Sequence, residues 1–210
     1  MIGSIAAPGA GRRRLSAPER RRDVVSAVIG LARECSPDGI TTQAIAGRVG
    51  LTHGALFRHF ADKHAMWVAV FDWVEERLGA VVDEAFREGG DPLEILERVF
   101  LAHVRFVAAN PGVPRILFHE LQSPADSAFH ERVRKLVRGY RARLGRLLAD
   151  AKRAGALPPA LDEEAAAVLF IGTVQGLAVQ AMLFRGEAGM NAAARRLFPL
   201  LLDGFRGGGR

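Results

Sequence analysis

The chain has 210 residues, of which 49% are hydrophobic, enough for one or two domains with a real core and too apolar for disorder throughout. Its single cysteine, Cys35, rules out an intramolecular disulfide framework and a cysteine-based zinc cluster, and fits a reducing cytoplasm. The formal charge is +6, and residues 1–63 carry ten Lys/Arg against five Asp/Glu, so the basic end points to a polyanion such as nucleic acid, or else to a solvated arginine face.

The hydrophobic pattern is helical along the whole chain, with no sustained strand alternation. Residues 1–14, with Pro8, Gly9 and Gly11 and no hydrophobic signal core, read as a flexible basic arm of a cytoplasmic protein. Ser16 and Glu19 have capping-box spacing and open a first helix with Val24, Val28, Leu31 and Cys35 on one face. Ser36-Pro37-Asp38-Gly39 stops it. A second helix is expected from Thr41 or Thr42 to just before Gly50, and a third from Thr52 to near Phe60. Gly50 supplies the positive φ of a sharp turn. Leu51 plugs the corner, and Leu56 and Phe60 point inward. His53, Gly54, Phe57 and Arg58 then face outward, with Ala55 and His59 on the flanks. Two short helices meeting at a steep angle, the second presenting polar groups, make a helix-turn-helix suited to a major groove.

Asp62 caps a long fourth helix to about Arg87, with Val70, Phe71, Val74, Leu78, Val81 and Ala85 on its inner face. Asp91 and Pro92 open a fifth helix carrying Leu96, Phe100, His103 and Val107. A short helix over about 113–121 follows the Asn110-Pro111-Gly112 break. Beyond Ser123-Pro124 runs a long amphipathic helix with Val133, Leu136, Tyr140, Leu144, Leu147 and Ala151 inside. Asp162 caps an uncharged stretch, Ala165–Phe184, that has the length of a membrane span. Thr173, Gln175 and Gln180, and the acids before it, fit a helix buried between other helices better, so no membrane partner is expected. A last helix is expected near 191–202. The expected architecture is therefore all-α, about nine helices: the arm at 1–14, a helix-turn-helix unit at 15–63 and a larger helical unit at 64–205.

Competing chemistries find little support. The spacings among His53, His59 and His64 do not stack ligands on one helical face. His119-Glu120 lacks the second histidine of a metalloprotease motif, and no phosphate-loop or Gly-x-Ser-x-Gly motif occurs. No catalytic residue, metal or cofactor is expected. The alternatives to a regulator are a helical enzyme or metal-binding protein with an incidental basic end, and an architectural DNA binder without an effector.

Residues 19–71 resemble the DNA-binding domain of the tetracycline-repressor (TetR) family of bacterial regulators. The likeness rests on "LARECSPDG", "TTQAIAGRVGLTHGALFRHF" and "DKHAMWVAV", about a quarter of the chain; the later helices agree in number, length and order. The resemblance implies a ligand-responsive, sequence-specific DNA-binding protein, a repressor leaving a near-palindromic operator when a small apolar molecule binds. It places Thr42 and Gln43 at phosphate or a base edge, and Thr52, His53, Gly54 and Ala55 at the opening of the groove-facing helix. Arg58 is to read guanine or pair with phosphate, and His59 and Lys63 are to lie along the backbone. Phe57 stands where the family usually has a tyrosine whose hydroxyl bonds a phosphate. Arg12, Arg13 and Arg14 are to reach an adjacent minor groove. The implied effector pocket draws on Trp67, Phe86, Phe100, His103, Phe106, Phe118, His119 and Gln175. The implied homodimer interface uses the last two helices, with Gly172, Gly176, Val179 and Leu183 at the contact.

Overall fold

The structure, a computed structural model, describes residues 16–184 and 187–207. Arg12, Arg13 and Arg14 lie outside the described residues. Nine α-helices and one 3-10 turn (Pro37–Gly39) occur among those described, and no strand. The helices are α1 (Ala17–Glu34), α2 (Thr42–Arg48), α3 (His53–Leu56), α4 (Lys63–Arg87), α5 (Pro92–Ala109), α6 (Gly112–Glu120), α7 (Ala128–Arg153), α8 (Glu163–Phe184) and α9 (Glu187–Phe205).

Local chemistry sets most of these boundaries. Ser16 and Glu19 form the reciprocal box at the start of α1, the Ser16 amide donating to Glu19 at 2.8 Å. Asp91 and Glu94 do the same for α5. Asp62 accepts from the Ala65 amide at 2.7 Å to start α4, and Asp162 accepts from the Glu164 and Ala165 amides at 2.9 and 3.0 Å to start α8. Gly50 closes α2 with φ 64°, a conformation that suits glycine.

Three expected details differ. The α-helical part of the third helix ends at Leu56; the Arg58 and His59 amides bond residues three back, Ala55 and Leu56, at 3.3 and 3.0 Å. That tightens the last turn without breaking the run. On α4 it is Val82, at 1% exposure, that faces the core rather than Val81. The last helix is longer than 191–202 at both ends.

Two hydrophobic cores result. The lower one joins Val24 and Val28 of α1, Ile45 and Ala46 of α2, Leu56, Phe60 and the first half of α4. It also takes Val113 and Ile116 from α6 and Phe129 and Val133 from α7, so it extends past residue 63. Phe71 and Phe129 meet edge to face there, ring centres 4.9 Å apart. The upper core centres on Phe100 of α5, wedged between Phe170 of α8 at 5.2 Å and Phe198 of α9 at 5.5 Å. α4 runs through both cores and joins them.

α8 alone is long and apolar enough, among the described residues, to cross a membrane. One face of it, including Phe170, Ile171, Val174 and Leu177, lies in the upper core. The opposite face leaves Val168, Leu169 and Leu183 exposed at 46%, 52% and 66%.

Candidate nucleic-acid interface and effector cavity

The corner between α2 and α3 presents an ordered polar surface. Leu56 and Phe60 are buried, while His53, Gly54, Phe57 and Arg58 are exposed and Ala55 and His59 are half-buried, the division expected from helical spacing. Thr52 caps α3 by accepting from the Ala55 amide at 3.2 Å. The Thr42 hydroxyl and His53 Nε2 lie 2.9 Å apart, which ties the first turn of α2 to the first turn of α3. The His53 ring stands edge-on to Phe57 at 4.9 Å. Gln43 is exposed beside Thr42, and the Arg58 side chain is exposed with no polar partner among the described residues.

Much of the remaining positive charge is occupied inside this unit. Arg20 donates to the Val49 carbonyl at 3.5 Å, and Arg21 donates to the His59 carbonyl while its guanidinium covers the Phe60 ring at 4.3 Å. The two arginines thus satisfy carbonyls at the ends of α2 and of the turn after α3. Arg48 pairs with Glu34 through two bonds of 3.0 and 2.6 Å. Lys63 donates to the Pro37 carbonyl at 3.1 Å and sits 5.2 Å from the centre of the Trp67 ring. In the sequence these groups count as charge for a polyanion; their bonds to carbonyls, and that of Arg48 to Glu34, carry no residue-type signal.

A cavity of about 100 Å³ lies among α4 to α8. Phe71, Val74 and Leu78 of α4 line it, as do His103 and Phe106 of α5, Leu117 and Phe118 of α6, Tyr140 of α7 and Val174 of α8. Of the residues expected there, His103, Phe106, Phe118 and Gln175 do line it. The other four do not. Trp67 faces the lower core, one turn into α4. Phe86 sits under Arg143 in a shallow surface groove at the end of α4. Phe100 is locked inside the upper core. His119 turns away toward Asp38, 3.5 Å distant.

The cavity wall holds one buried polar pair. The Tyr140 hydroxyl lies 3.2 Å from His103 Nδ1. Burial pushes the His103 imidazole down to about 4, so it is neutral near pH 7, and the same burial pushes the Tyr140 phenol up. Among the described residues, no group of three or more His, Cys, Asp or Glu side chains is placed to hold a metal ion.

This combination of a helix-turn-helix corner and a helical body with an inner cavity has close relatives. Residues 29–70 match the bacterial regulatory proteins of the tetR family, and residues 123–197 match the tetracyclin repressor-like C-terminal domain. The two matches together take in more than half of the chain. The chain belongs to the TetR family. It is therefore a DNA-binding transcriptional regulator by family, with the fold of such regulators.

This TetR-family chain is 29% identical over 136 residues to the nucleoid occlusion factor SlmA of Actinobacillus pleuropneumoniae serotype 5b; the match covers 63% of this chain and 66% of that protein. It is 29% identical over 161 residues to SlmA of Vibrio cholerae serotype O1, covering 75% and 81%. The fatty acid degradation regulator FadR of Bacillus halodurans shares the fold with a TM-score of 0.79 at 20% identity, covering 92% of this chain and 99% of that one. FadR of Bacillus subtilis, solved in complex with stearoyl-CoA, superposes with a TM-score of 0.74 at 18% identity, covering 87% and 98%.

Proposed function

We propose that this TetR-family protein is a cytoplasmic homodimeric repressor that leaves a near-palindromic operator when a small effector with an apolar part fills the cavity among α4 to α8. The observation that carries this reading is the course of α4. It starts at the DNA-facing corner, at Lys63, and lines the cavity two turns later with Phe71 and Val74. An occupant that favours one placement of α4 thereby biases the placement of α3, and the population shifts away from the DNA-bound form. Thr42, Gln43, His53, Gly54 and Arg58 are the groups offered to DNA; Thr52 holds α3 in place.

Exposed apolar area supports the dimer. Leu169, Gly172, Gly176 and Leu183 lie on the outward face of α8, Val179 beside them is half-buried, and Leu200 of α9 is 66% exposed. A β-carbon at Gly172 or Gly176 would meet nothing within 4 Å in the single chain, so these positions leave room for a second copy's helix to approach. Covering this stripe removes an apolar patch from water. A two-fold dimer sets the two corners against half-sites about one helical turn of DNA, roughly 34–36 Å, apart.

The family and fold are those of transcriptional regulators, and no enzyme activity is proposed. The SlmA relatives, named as nucleoid occlusion factors, favour one second reading: a chromosome-bound protein without an effector. Selection of bound sequences from a random DNA pool by the full-length protein separates the two. The repressor reading expects a dyad-symmetric site preferred at least about a hundredfold over unrelated DNA, within the span of specific readout. Flat dependence on sequence would overturn it.

A further inference from the structure

The cavity among α4 to α8 carries no ionised group on its wall. None of the described residues that line it is Asp, Glu, Lys or Arg. Its buried polar groups are the His103 imidazole of α5 and the Tyr140 hydroxyl of α7. Burial pushes the first down to about 4 and the second up, so both are neutral near pH 7. The third polar wall residue, Gln175 of α8, is uncharged and exposed. An ion carried into this space loses its hydration and meets no counter-charge.

The polar pair is not saturated. A neutral imidazole has one N–H and one bare nitrogen, and a phenol hydroxyl both donates and accepts. One bond of 3.2 Å joins Tyr140 to His103 Nδ1, and neither side chain has another hydrogen-bond partner among the described residues. If the hydroxyl donates to Nδ1, the phenol oxygen still accepts and the Nε2–H still donates. If the Nδ1–H donates to the phenol oxygen, the hydroxyl still donates and Nε2 still accepts. In both tautomers the pair keeps one donor and one acceptor. It therefore answers a hydroxyl or a carbonyl, and it needs no charge to do so. Size narrows the choice. An apolar cavity of roughly 150 Å³ takes benzene. This one, at about 100 Å³, takes a smaller molecule, of about four or five non-hydrogen atoms.

We propose that the effector of this protein is a small uncharged molecule with one hydroxyl or carbonyl group, an alcohol or a ketone, whose polar atom bonds to the Tyr140–His103 pair. This rests on the reading of the cavity as the effector site and adds the chemical class of its ligand. Tyr140 and His103 are then the residues that determine specificity. The hydrocarbon part of the ligand lies against Phe71 and Val74, on the helix that runs to the helix-turn-helix corner.

The test uses the full-length protein and probes of closely similar shape: sec-butanol, butanone, isopentane and the sec-butylammonium ion, with propionate as the anion. Ligand-observed NMR measures binding, and release of the selected operator measures response. The alcohol or the ketone is expected to bind and to release the operator, and both ions to bind at least about tenfold more weakly. Tyr140→Phe is expected to weaken that alcohol or ketone about fivefold, the loss of one neutral hydrogen bond, and to leave isopentane unchanged. The hydrocarbon thus reports that the variant's cavity is intact. A second readout needs no substitution: the ring-nitrogen resonances of His103 are expected to move with the alcohol or ketone and much less with isopentane. Phe118→Trp, which fills the space, is expected to weaken every uncharged probe. An ion that binds as tightly as the alcohol and ketone, binding of these two indifferent to Tyr140→Phe, or His103 resonances that answer isopentane as strongly, overturns the ligand class and leaves the cavity reading standing. Binding of no probe, binding indifferent to Phe118→Trp, or binding that leaves operator affinity unchanged overturns both.

Discussion

Gly112 of α6 lies so close to α1 that a β-carbon at position 112 would stand 2.1 Å from the Ile29 carbonyl oxygen and 3.2 Å from the Ala32 β-carbon. The first of these is backbone, which cannot turn aside as a side chain tip can. Glycine is therefore required at this contact by space, and α6 is pinned against the DNA-binding unit. The opposite face of α6 sends Pro114, Leu117 and Phe118 to the cavity. α6 is thus a second connection between the cavity and the DNA-binding unit, in addition to α4.

Gly112→Ala is expected to force α6 away from α1 and to lower stability by about 2 kcal/mol or more, in the range of overpacked core positions. Gly139→Ala is the matched control, since a β-carbon there meets nothing within 4 Å and Ala favours helix. Thermal denaturation of the two variants checks this. A melting temperature for Gly112→Ala equal to that of Gly139→Ala would remove the contact from the account.

The buried His103 makes stability depend on pH. Its folded value is about 4 against 6.5 in the open chain, so between these limits the unfolded chain binds a proton that the folded one does not. Stability then falls as pH drops from about 6.5 toward 4, by on the order of 3 kcal/mol, and this contribution is complete above 6.5. His103→Gln keeps a polar partner near the Tyr140 hydroxyl and removes the titration. Urea unfolding at fixed protein concentration is expected to give a shallower loss of stability in this window for the variant. Parallel curves for the two proteins would show that His103 is not the group responsible.

The helix order, the caps and the outward set at the corner were legible in the sequence because each depends on residues three or four apart. Ser16 with Glu19, and the inward pair Leu56 and Phe60, are local signals of this kind. The cavity was half legible. His103, Phe106 and Phe118 sit on faces that helical periodicity assigns to the interior, but so do Phe100 and Trp67, and only packing between helices far apart in the chain decides which interior face meets empty space. The bracing by Arg20 and Arg21, and the Gly112 contact, join residues separated by 29, 38 and 83 positions, and no periodicity spans such distances. The charge count pointed to nucleic acid, in keeping with the family, but it cannot tell an arginine bonded to a carbonyl from one facing solvent.

Phe57 is 38% exposed on the helix-turn-helix corner and has only the His53 ring as an edge-on neighbour. A tyrosine there gains a hydroxyl at the ring's outer end with no core to overpack. Phe57→Tyr is expected to tighten binding to the selected operator several-fold, roughly the 0.5–1.5 kcal/mol of one added hydrogen bond, and to do so equally on mismatched sites, because phosphate contacts carry no sequence information. Fluorescence anisotropy on matched and mismatched duplexes measures both. A gain confined to one base pair would mean that the ring edge faces a base.

Arg58 and Lys63 look alike in sequence as the positive charges of the corner, and the structure sets them apart. The Arg58 side chain is exposed with no polar partner, whereas Lys63 is bonded to the Pro37 carbonyl and covers Trp67. Removing Arg58 therefore leaves the fold intact and takes away a group available to DNA. Arg58→Ala is expected to leave the melting temperature unchanged and to weaken operator binding by about 1–3 kcal/mol if the contact is to a base; a phosphate contact would instead weaken all sequences alike and reduce the salt slope by about one. Lys63→Ala should show the reverse balance. It leaves the Pro37 carbonyl without its donor and strips a cation from the Trp67 face, so its main effect is expected on stability, about 1 kcal/mol, with a smaller loss of affinity. Comparing both variants by denaturation and by salt-dependent operator titration decides the matter, and a Lys63→Ala protein that is fully stable but loses as much affinity as Arg58→Ala would return Lys63 to the DNA-contacting set.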